Sequence, residues 1–182
     1  MIRSQLLESL KTYQTTFDTE ISFIPRFKSL LVNFENCYER RLLSGHITAS
    51  AWIVDEMGGS ALLVHHKKLH KWLQPGGHAD GDENVISVAM KEAQEETGLK
   101  SLCFLHANIF DVDIHLIPQH KTINTHFHYD IRFVFTADSN ETLVVSDESN
   151  SLQWFPLDEI HKVAGNNNSI HRMVLKTKFI FK

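Results

Sequence analysis

The sequence predicts an α/β fold, in which strands and helices alternate along the chain and form a sandwich. Three observations predict it: helical spacing of apolar residues at the start, strict alternation of polar and apolar residues over 126–136, and an amphipathic segment at 84–97 between strand-like stretches. With 182 residues, of which 42% are hydrophobic, the chain is long enough to bury a core as one domain with an extension.

The first part of the chain predicts two helices. Residues 2–17 and residues 27–43 each place apolar side chains at helical spacing, and Pro25 is expected to break the chain between them. We therefore assign residues 1–45 to an N-terminal helical extension and residues 46–182 to the main domain.

From Ile47 onward the pattern predicts mainly strands. A hairpin is expected around Gly58 and Gly59, and a loop is expected over residues 72–82, which contain Pro75 and three glycines. The predicted strands are 47–54, 61–65, 102–117, 126–136 and 152–155, and the predicted helices of this part are 84–97 and 169–179. Asp82 or Asn84 can cap the helix at 84–97, and Gly98 can end it.

Composition narrows the classes of function and location. The net charge is −4 and no basic stripe occurs, so a nucleic-acid polymer is not an expected partner. The two cysteines, Cys37 and Cys103, lie in apolar stretches outside any CxxC pattern, which favours reduced structural thiols in the cytoplasm. No apolar run is long enough for a membrane span, and the first residues lack the apolar core of a signal peptide, so neither a membrane nor secretion is expected.

The helix at 84–97 carries the most informative group of side chains. At about 100° per residue, Glu92, Glu95 and Glu96 share an arc of roughly 100°, and Glu92 and Glu96 lie at the edge of the apolar face. Like charges at this spacing repel each other, and partial burial increases the cost. A hard divalent cation reverses that cost because it prefers oxygen ligands, and Mg²⁺ is the natural candidate.

The segment from Gly77 to Leu99 resembles the Nudix box, G-x5-E-x7-R-E-U-x-E-E-x-G-U, where U is a bulky aliphatic residue. All six fixed glycine and glutamate positions match, and the probability that this happens by chance at one start is about 10⁻⁷. They are Gly77, Glu83, Glu92, Glu95, Glu96 and Gly98. Two positions differ, because Lys91 replaces the arginine and Ala93 is a small version of U.

The resemblance implies a Nudix-type α/β/α sandwich with a mixed β-sheet, over roughly residues 46–165. It implies a hydrolase that cleaves a phosphoanhydride bond in a nucleoside diphosphate linked to another moiety, or in a nucleoside triphosphate, with Mg²⁺ or Mn²⁺ as cofactor. The implied metal ligands are the Gly77 carbonyl and the carboxylates of Glu92, Glu95 and Glu96. Glu83 would support the metal cluster, and Lys91 would orient a glutamate.

In this family the general base often comes from a later loop. Glu148 is the candidate in this chain, followed by Glu141 and Asp147, because their loop precedes the strand at 152–155. Substrate contacts are expected from Trp72 and Gln74, just before the glycines, and from three further residues that could line the cleft. These three are His78, His128 and Arg132.

The histidines allow other interpretations. His126 and His128 point to the same side of a strand, and with His65, His66 and His78 they could form a zinc site. The sequence favours the simpler interpretation that they are polar residues on the outer face of a strand.

Three further questions stay open at the level of sequence. The chain could be a catalytically weak nucleotide-binding or regulatory module, or, with less support, an isomerase that uses a catalytic cysteine. Positions 15 and 16 beyond the box hold Ile114 and His115, which match no substrate marker of the family. The N-terminal helices could cap the sheet or form a homodimer interface.

Overall fold

The computed structural model describes residues 1–119 and 124–181. Its helices are α1 (Arg3–Thr12), α2 (Asp18–Asn33), α3 (Val85–Thr97), α4 (Ile160–Ala164) and α5 (Asn168–Ile180). Its strands are β1 (His46–Asp55), β2 (Ser60–His66), β3 (Lys71–Leu73), β4 (Gly76–His78), β5 (Cys103–Phe104), β6 (Asp111–Ile117), β7 (His126–Ala137) and β8 (Ser149–Pro156). The fold is α/β, with a mixed β-sheet and flanking helices, as the sequence predicts.

The chain divides into two compact units. The first comprises Met1–Ser50, Gly77–Ala89 and Ala107–Phe133, and the second comprises Ala51–Gly76, Met90–His106 and Val134–Lys182. The predicted domain boundary between residues 45 and 46 does not coincide with an edge of either unit, and it stays a prediction.

In the first unit, helices α1 and α2 pack together and α2 lies against β6. Strands β6 and β7 pair antiparallel, from Asp111 opposite Arg132 to Ile117 opposite His126. Phe27 of α2 meets the Tyr129 ring of β7 edge-on, with 5.3 Å between ring centroids. Part of the core of the first unit therefore lies between α2 and this strand pair.

Helix α2 corrects the predicted break at Pro25, which lies inside it. Proline removes one helical hydrogen bond, but the buried side chains of Phe27, Leu30 and Leu31 hold the helix in place beyond that gap. The helix predicted over 27–43 is also wrong, because α2 ends at Asn33 and a series of turns follows. These turns repeat every three residues, which is close to the repeat of a helix. A short apolar pattern in the sequence therefore does not distinguish such turns from a helix.

In the second unit, β2 lies between two antiparallel partners, β3 and β8. The end of β1 also pairs with β2, with Ile53 opposite Leu62. The indole Nε1 of Trp52 donates a hydrogen bond to Thr177 Oγ1 of α5 at 2.8 Å, which fixes that helix to β1.

Two predictions need correction, one of a loop and one of a strand. The predicted loop at 72–82 contains most of the short strand β3 and all of β4, with Gln74 and Pro75 between them. The Pro75 carbonyl accepts a hydrogen bond from Ala51 N–H at 2.9 Å. The predicted strand at 102–117 is two strands, β5 and β6, because they pair with different stretches of β7.

Candidate active site

Helix α3 begins and ends where its capping residues predict. The side-chain oxygen of Asn84 accepts a hydrogen bond from Ser87 N–H at 3.5 Å. Gly98 adopts φ +75° and its N–H donates to the Gln94 carbonyl at 2.8 Å. A Cβ at Gly98 would lie 2.6 Å from Val144 Cβ, so the position needs glycine for space as well as for φ. These two ends fix where the acidic residues lie along α3.

The faces of α3 follow the predicted helical wheel. Val85, Ala89 and Ala93 are fully buried, whereas Glu96 is half-buried at the edge of that face. Glu92 lies at the same edge, four residues earlier, and Glu95 is exposed one step further round the helix. The structure thus brings the Glu96 carboxylate to the boundary between core and solvent, where its charge is only partly hydrated.

Glu96 shows the electrostatic consequence of this placement. Burial raises the pKa of its carboxyl to about 7, although a hydrogen bond from Gly76 N–H to its Oε2, 3.3 Å long, acts in the opposite direction. The negative charges of Glu92 and Glu148 raise the pKa further. In this environment the negative charge on Glu96 is costly without a nearby cation.

The loop carboxylates named as candidate bases differ in their surroundings. Glu148 is near enough to Glu96 for its charge to act there, and its carbonyl accepts a hydrogen bond from Lys67 N–H at 2.9 Å. Glu141 instead accepts hydrogen bonds from the N–H groups of Lys100 and Ser101, at 2.8 Å and 3.0 Å. Of these two, Glu148 is the carboxylate whose charge acts on Glu96.

Lys91 lies where the Nudix box has arginine, and it contacts Glu95. Its Nζ is 3.7 Å from Glu95 Oε1, and both side chains are more than half exposed. An exposed pair of this length contributes less than about 1 kcal/mol to stability. A lysine also makes a single-point contact where an arginine would make two parallel hydrogen bonds.

Glu83 has a partner that the sequence did not indicate. Arg3 Nε donates to Glu83 Oε1 at 2.9 Å, and the same guanidinium donates to the carbonyl oxygens of Leu31 and Phe34. The Arg3 guanidinium also lies over the Tyr38 ring, 5.1 Å from its centroid. No local pattern predicts this contact, because 80 residues separate Arg3 from Glu83.

The predicted substrate-contacting residues before the glycines occupy the second unit. Trp72 of β3 packs against His65 and Phe155, with ring-centroid distances of 5.0 Å and 4.9 Å. Gln74 has a buried side-chain oxygen without a hydrogen-bond partner among residues 1–119 and 124–181. Both contacts with substrate stay predictions.

Arg132 is almost completely buried in the first unit, at 2% exposure. Its guanidinium pairs with Asp111, Asp113 and Asp130 at 3.1 Å, 3.3 Å and 2.7 Å. Asp130 also accepts hydrogen bonds from Ser50 and Thr48. This network satisfies a buried charge inside the first unit, and the predicted contact of Arg132 with substrate stays a prediction.

His78 and His128 belong to a group of histidines in the first unit. The ring of His46 lies 5.2 Å from that of His78, 4.9 Å from that of His128 and 5.0 Å from that of His126, between centroids. We call these four residues the histidine cluster. His46 and His126 are buried, so the prediction of polar residues on an outer strand face is wrong for His126.

Comparison with known proteins decides the family. The NUDIX domain profile matches residues 45–177, which is more than half of the chain.

The chain belongs to the NUDIX domain family.

Individual Nudix relatives agree with this assignment. The bis(5'-nucleosyl)-tetraphosphatase (asymmetrical) of Rattus norvegicus is 27% identical over 103 residues, which cover 57% of this chain and 67% of the relative. A NUDIX-family hydrolase from Clostridium perfringens has a TM-score of 0.59 at 21% identity, over 74% of this chain and 97% of that one. A C. elegans Ap4A hydrolase has a TM-score of 0.57 at 18% identity, over 74% and 96%. The chain is thus a Nudix-type pyrophosphohydrolase.

The Nudix helix is α3, and the predicted box residues lie on it and on the segments that flank it. Gly77 lies in β4, directly after Gly76, whose N–H bonds to Glu96. The proposed roles of Gly77 and of the box glutamates stay predictions. No helix within the described ranges 1–119 and 124–181 is long and apolar enough to cross a membrane.

Proposed function

We propose that this Nudix chain requires a divalent metal ion and hydrolyses a phosphoanhydride bond in a nucleoside diphosphate linked to another moiety, or in a nucleoside triphosphate. The observation that supports the metal is the environment of Glu96. Its carboxyl is half-buried and its pKa is raised to about 7 by burial and by neighbouring carboxylates. A cation beside it offsets both costs.

The residues present suit Mg²⁺ or Mn²⁺. The donors on and near α3 are carboxylate oxygens of Glu92, Glu95 and Glu96, and backbone carbonyls such as that of Gly77 add further oxygen ligands. Hard divalent cations prefer such oxygen sets, and Mg²⁺ is usually held by a few carboxylates together with substrate phosphates. When bound, the ion lowers the pKa of a water and neutralises charge on phosphate oxygens.

Residues outside the box and Lys91 within it have supporting roles in this proposal. The Gly76 N–H holds Glu96 Oε2 in place, and the Arg3 guanidinium holds Glu83. Lys91 fixes the direction of Glu95 through their ion pair. These contacts limit the rotamers of the glutamates, so less side-chain entropy is lost when the ligands assemble.

Glu148 is the proposed general base. It lies on the loop that leads into β8, and its charge acts on Glu96. A carboxylate in this position can accept the proton of the attacking water, provided that the two are within hydrogen-bond distance when substrate is bound. The proposed substrate contacts are the Trp72 ring and the side-chain oxygen of Gln74. That oxygen is buried and has no hydrogen-bond partner among residues 1–119 and 124–181.

The names of the relatives suggest which substrates to test first. Two of them act on dinucleoside tetraphosphates according to their names, so diadenosine tetraphosphate belongs in the panel with nucleoside triphosphates, nucleoside diphosphate sugars and ADP-ribose. Ile114 and His115, at the positions where some members of the family carry a substrate marker, do not favour any one substrate of this panel. Phosphate or nucleotide release with Mg²⁺ or Mn²⁺ identifies the substrate.

The decisive variant is Glu96→Gln, which keeps the shape of the side chain and removes its charge. We expect hydrolysis to fall by at least about 100-fold, because the loss of even a supporting group costs a metal site up to about that factor. Glu56→Gln is the matched control, since Glu56 is exposed in the turn between β1 and β2. Full activity of the Glu96→Gln variant on every substrate contradicts the proposed site.

The second candidate is a nucleotide-binding or regulatory module with weak catalysis, and the replacement of arginine by Lys91 favours it. This candidate predicts tight nucleotide binding by calorimetry and no product with any substrate of the panel. Product formation that depends on Glu96 excludes it.

A further inference from the structure

The histidine cluster brings together side chains that are distant in the sequence. His46 is the first residue of β1, His78 is the last residue of β4, and His128 is the third residue of β7. One ring nitrogen from each of these three residues lies within 4.8 Å of the other two. The cluster lies entirely within the first unit, and it contains none of the carboxylates of α3.

Among residues 1–119 and 124–181, two nitrogens of this group are buried without a hydrogen-bond partner, and they are His46 Nε2 and His128 Nε2. Such atoms are rare in folded proteins, because a buried polar atom that gives up water normally gains another partner. Their position in neighbouring rings indicates a ligand that accepts electron pairs from both.

The tautomer of His46 supports this interpretation. Its Nδ1 lies 3.3 Å from the Leu42 carbonyl oxygen, which can only accept a hydrogen bond, so Nδ1 carries the proton. The lone pair of the neutral ring is then on Nε2, the buried atom without a partner among residues 1–119 and 124–181. Metal-bound histidines commonly donate their second N–H to a backbone carbonyl in this way.

The charge state of the rings also suits a metal and is unfavourable for an anion. Burial lowers the pKa of the His128 ring to about 2, and neighbouring histidines lower it further. Neutral rings attract phosphate weakly but are the form in which histidine binds metals.

We propose that His46, His78 and His128 bind one transition-metal ion, with Zn²⁺ as the best match, through three imidazole nitrogens. Tetrahedral Zn²⁺ with bonds of about 2.0–2.1 Å needs ligand nitrogens roughly 3.3 Å apart, so the rings must approach by no more than about 1.5 Å. Side-chain rotation covers that distance. A water or another ligand completes the fourth position.

The kind of ion proposed for these histidines differs from the kind proposed for the carboxylates of α3. Imidazole nitrogens favour Zn²⁺, Cu²⁺, Ni²⁺ or Co²⁺, whereas Mg²⁺ prefers carboxylate and carbonyl oxygens. His126 is stacked on His46, and its Nδ1 contacts the Asn124 carbonyl at 2.8 Å, so it packs beside the three ligands. The proposal assigns His78 and His128 to metal binding, where the sequence predicted contact with substrate.

A bound ion would connect β1, β4 and β7 within the first unit. Because His78 directly follows Gly77, the ion would also restrain the backbone at Gly77. An ion that binds only the folded chain raises stability by mass action, so the melting temperature should rise with the Zn²⁺ concentration.

The test uses the full-length chain after removal of metals with a chelator. Titration with Co²⁺, whose visible absorption bands report four-coordinate nitrogen ligation, should develop these bands with a stoichiometry of one ion per chain. Zn²⁺ should displace it, and excess Mg²⁺ should not. His78→Gln and His128→Gln should each weaken Co²⁺ binding by at least about tenfold and reduce the bands.

Controls separate this site from the one on α3. His161→Gln, at an exposed histidine of α4, should keep the Co²⁺ bands of the wild type, and so should Glu96→Gln. Circular dichroism checks that each variant is folded. His78 and His128 are the positions chosen for substitution because both are half-buried, whereas His46 is buried. The proposal is overturned if the wild type binds neither Co²⁺ nor Zn²⁺. It is also overturned if folded His78→Gln and His128→Gln variants bind normally, or if Glu96→Gln removes the bands.

Discussion

The carboxylates of α3 and the histidine cluster are both groups of like side chains, but they arise in different ways. Glu92, Glu95 and Glu96 lie within five consecutive residues of one helix and share an edge because of helix periodicity. His46, His78 and His128 come from three strands and meet only when those strands assemble. The first group is therefore visible in the sequence, and the second is visible only in the structure.

The two groups also respond to burial in opposite directions. Burial disfavours the charged form of any side chain, so it raises the pKa of Glu96 and lowers the pKa of His128. Lowering the pH should therefore relieve the cost of burial at the glutamates and increase it at the histidines. Three substitutions, at His128, Glu96 and Lys91, test this contrast and the role of the α3 carboxylates.

The largest effect on stability is expected at the histidine cluster in the absence of metal. His128 has an ordinary pKa of 6.5 when unfolded and about 2 when folded, so the unfolded chain binds more protons as the pH falls below 6.5. Stability should therefore decrease between pH 6.5 and pH 4, by several kcal/mol at most. Urea unfolding in chelator should show a smaller decrease for His128→Gln. An equal decrease in both proteins contradicts this assignment.

The opposite slope is expected at Glu96. Its carboxyl has an ordinary pKa of 4.5 and a folded pKa of about 7, so the folded chain holds the extra proton between these values. Without metal, stability should be fully present below pH 4.5 and should decrease as the pH rises to 7, by up to about 3 kcal/mol. Glu96→Gln should remove this decrease, and Mg²⁺ should stabilise the wild type more at pH 8 than at pH 5. Equal stabilisation by Mg²⁺ at both values contradicts the proposed ligand role.

The smallest effect is expected at Lys91. Lys91→Arg restores the arginine of the Nudix box and allows two parallel hydrogen bonds to a glutamate. We expect kcat to rise by a factor of about two to ten, which corresponds to roughly 0.4–1.4 kcal/mol. Lys100→Arg, at an exposed position after α3, is the matched control and should leave kcat unchanged. A lower kcat for Lys91→Arg means that lysine suits this site better than arginine.

The sequence predicted the Nudix helix well because its signals are local. Asn84 and Gly98 mark its ends, and the order of small and acidic residues fixes which side is buried. The alternating residues of β7 were equally clear, since strict alternation is typical of a strand and not of a helix. In both cases the information lies within a few residues of the feature that it predicts.

Distant residues decide the features that the sequence predicted wrongly or did not indicate. Pro25 indicated a break, but the packing of α2 on β6 carries the helix across it. Glu83 gave no sign of its bond with Arg3, and Trp72 gave no sign of which side chains enclose it. Local preferences are worth a few kcal/mol at most, and tertiary packing of that size outweighs them.

By itself, the sequence determined the α/β class, the position of the Nudix helix and the side of it on which the glutamates lie, because helix geometry acts over three or four residues. Only the tertiary structure decided that Glu96 is half-buried near the charge of Glu148 and that three histidines from separate strands share one small space. Burial and the meeting of distant strands depend on how the whole chain packs, and no short stretch of sequence contains that information.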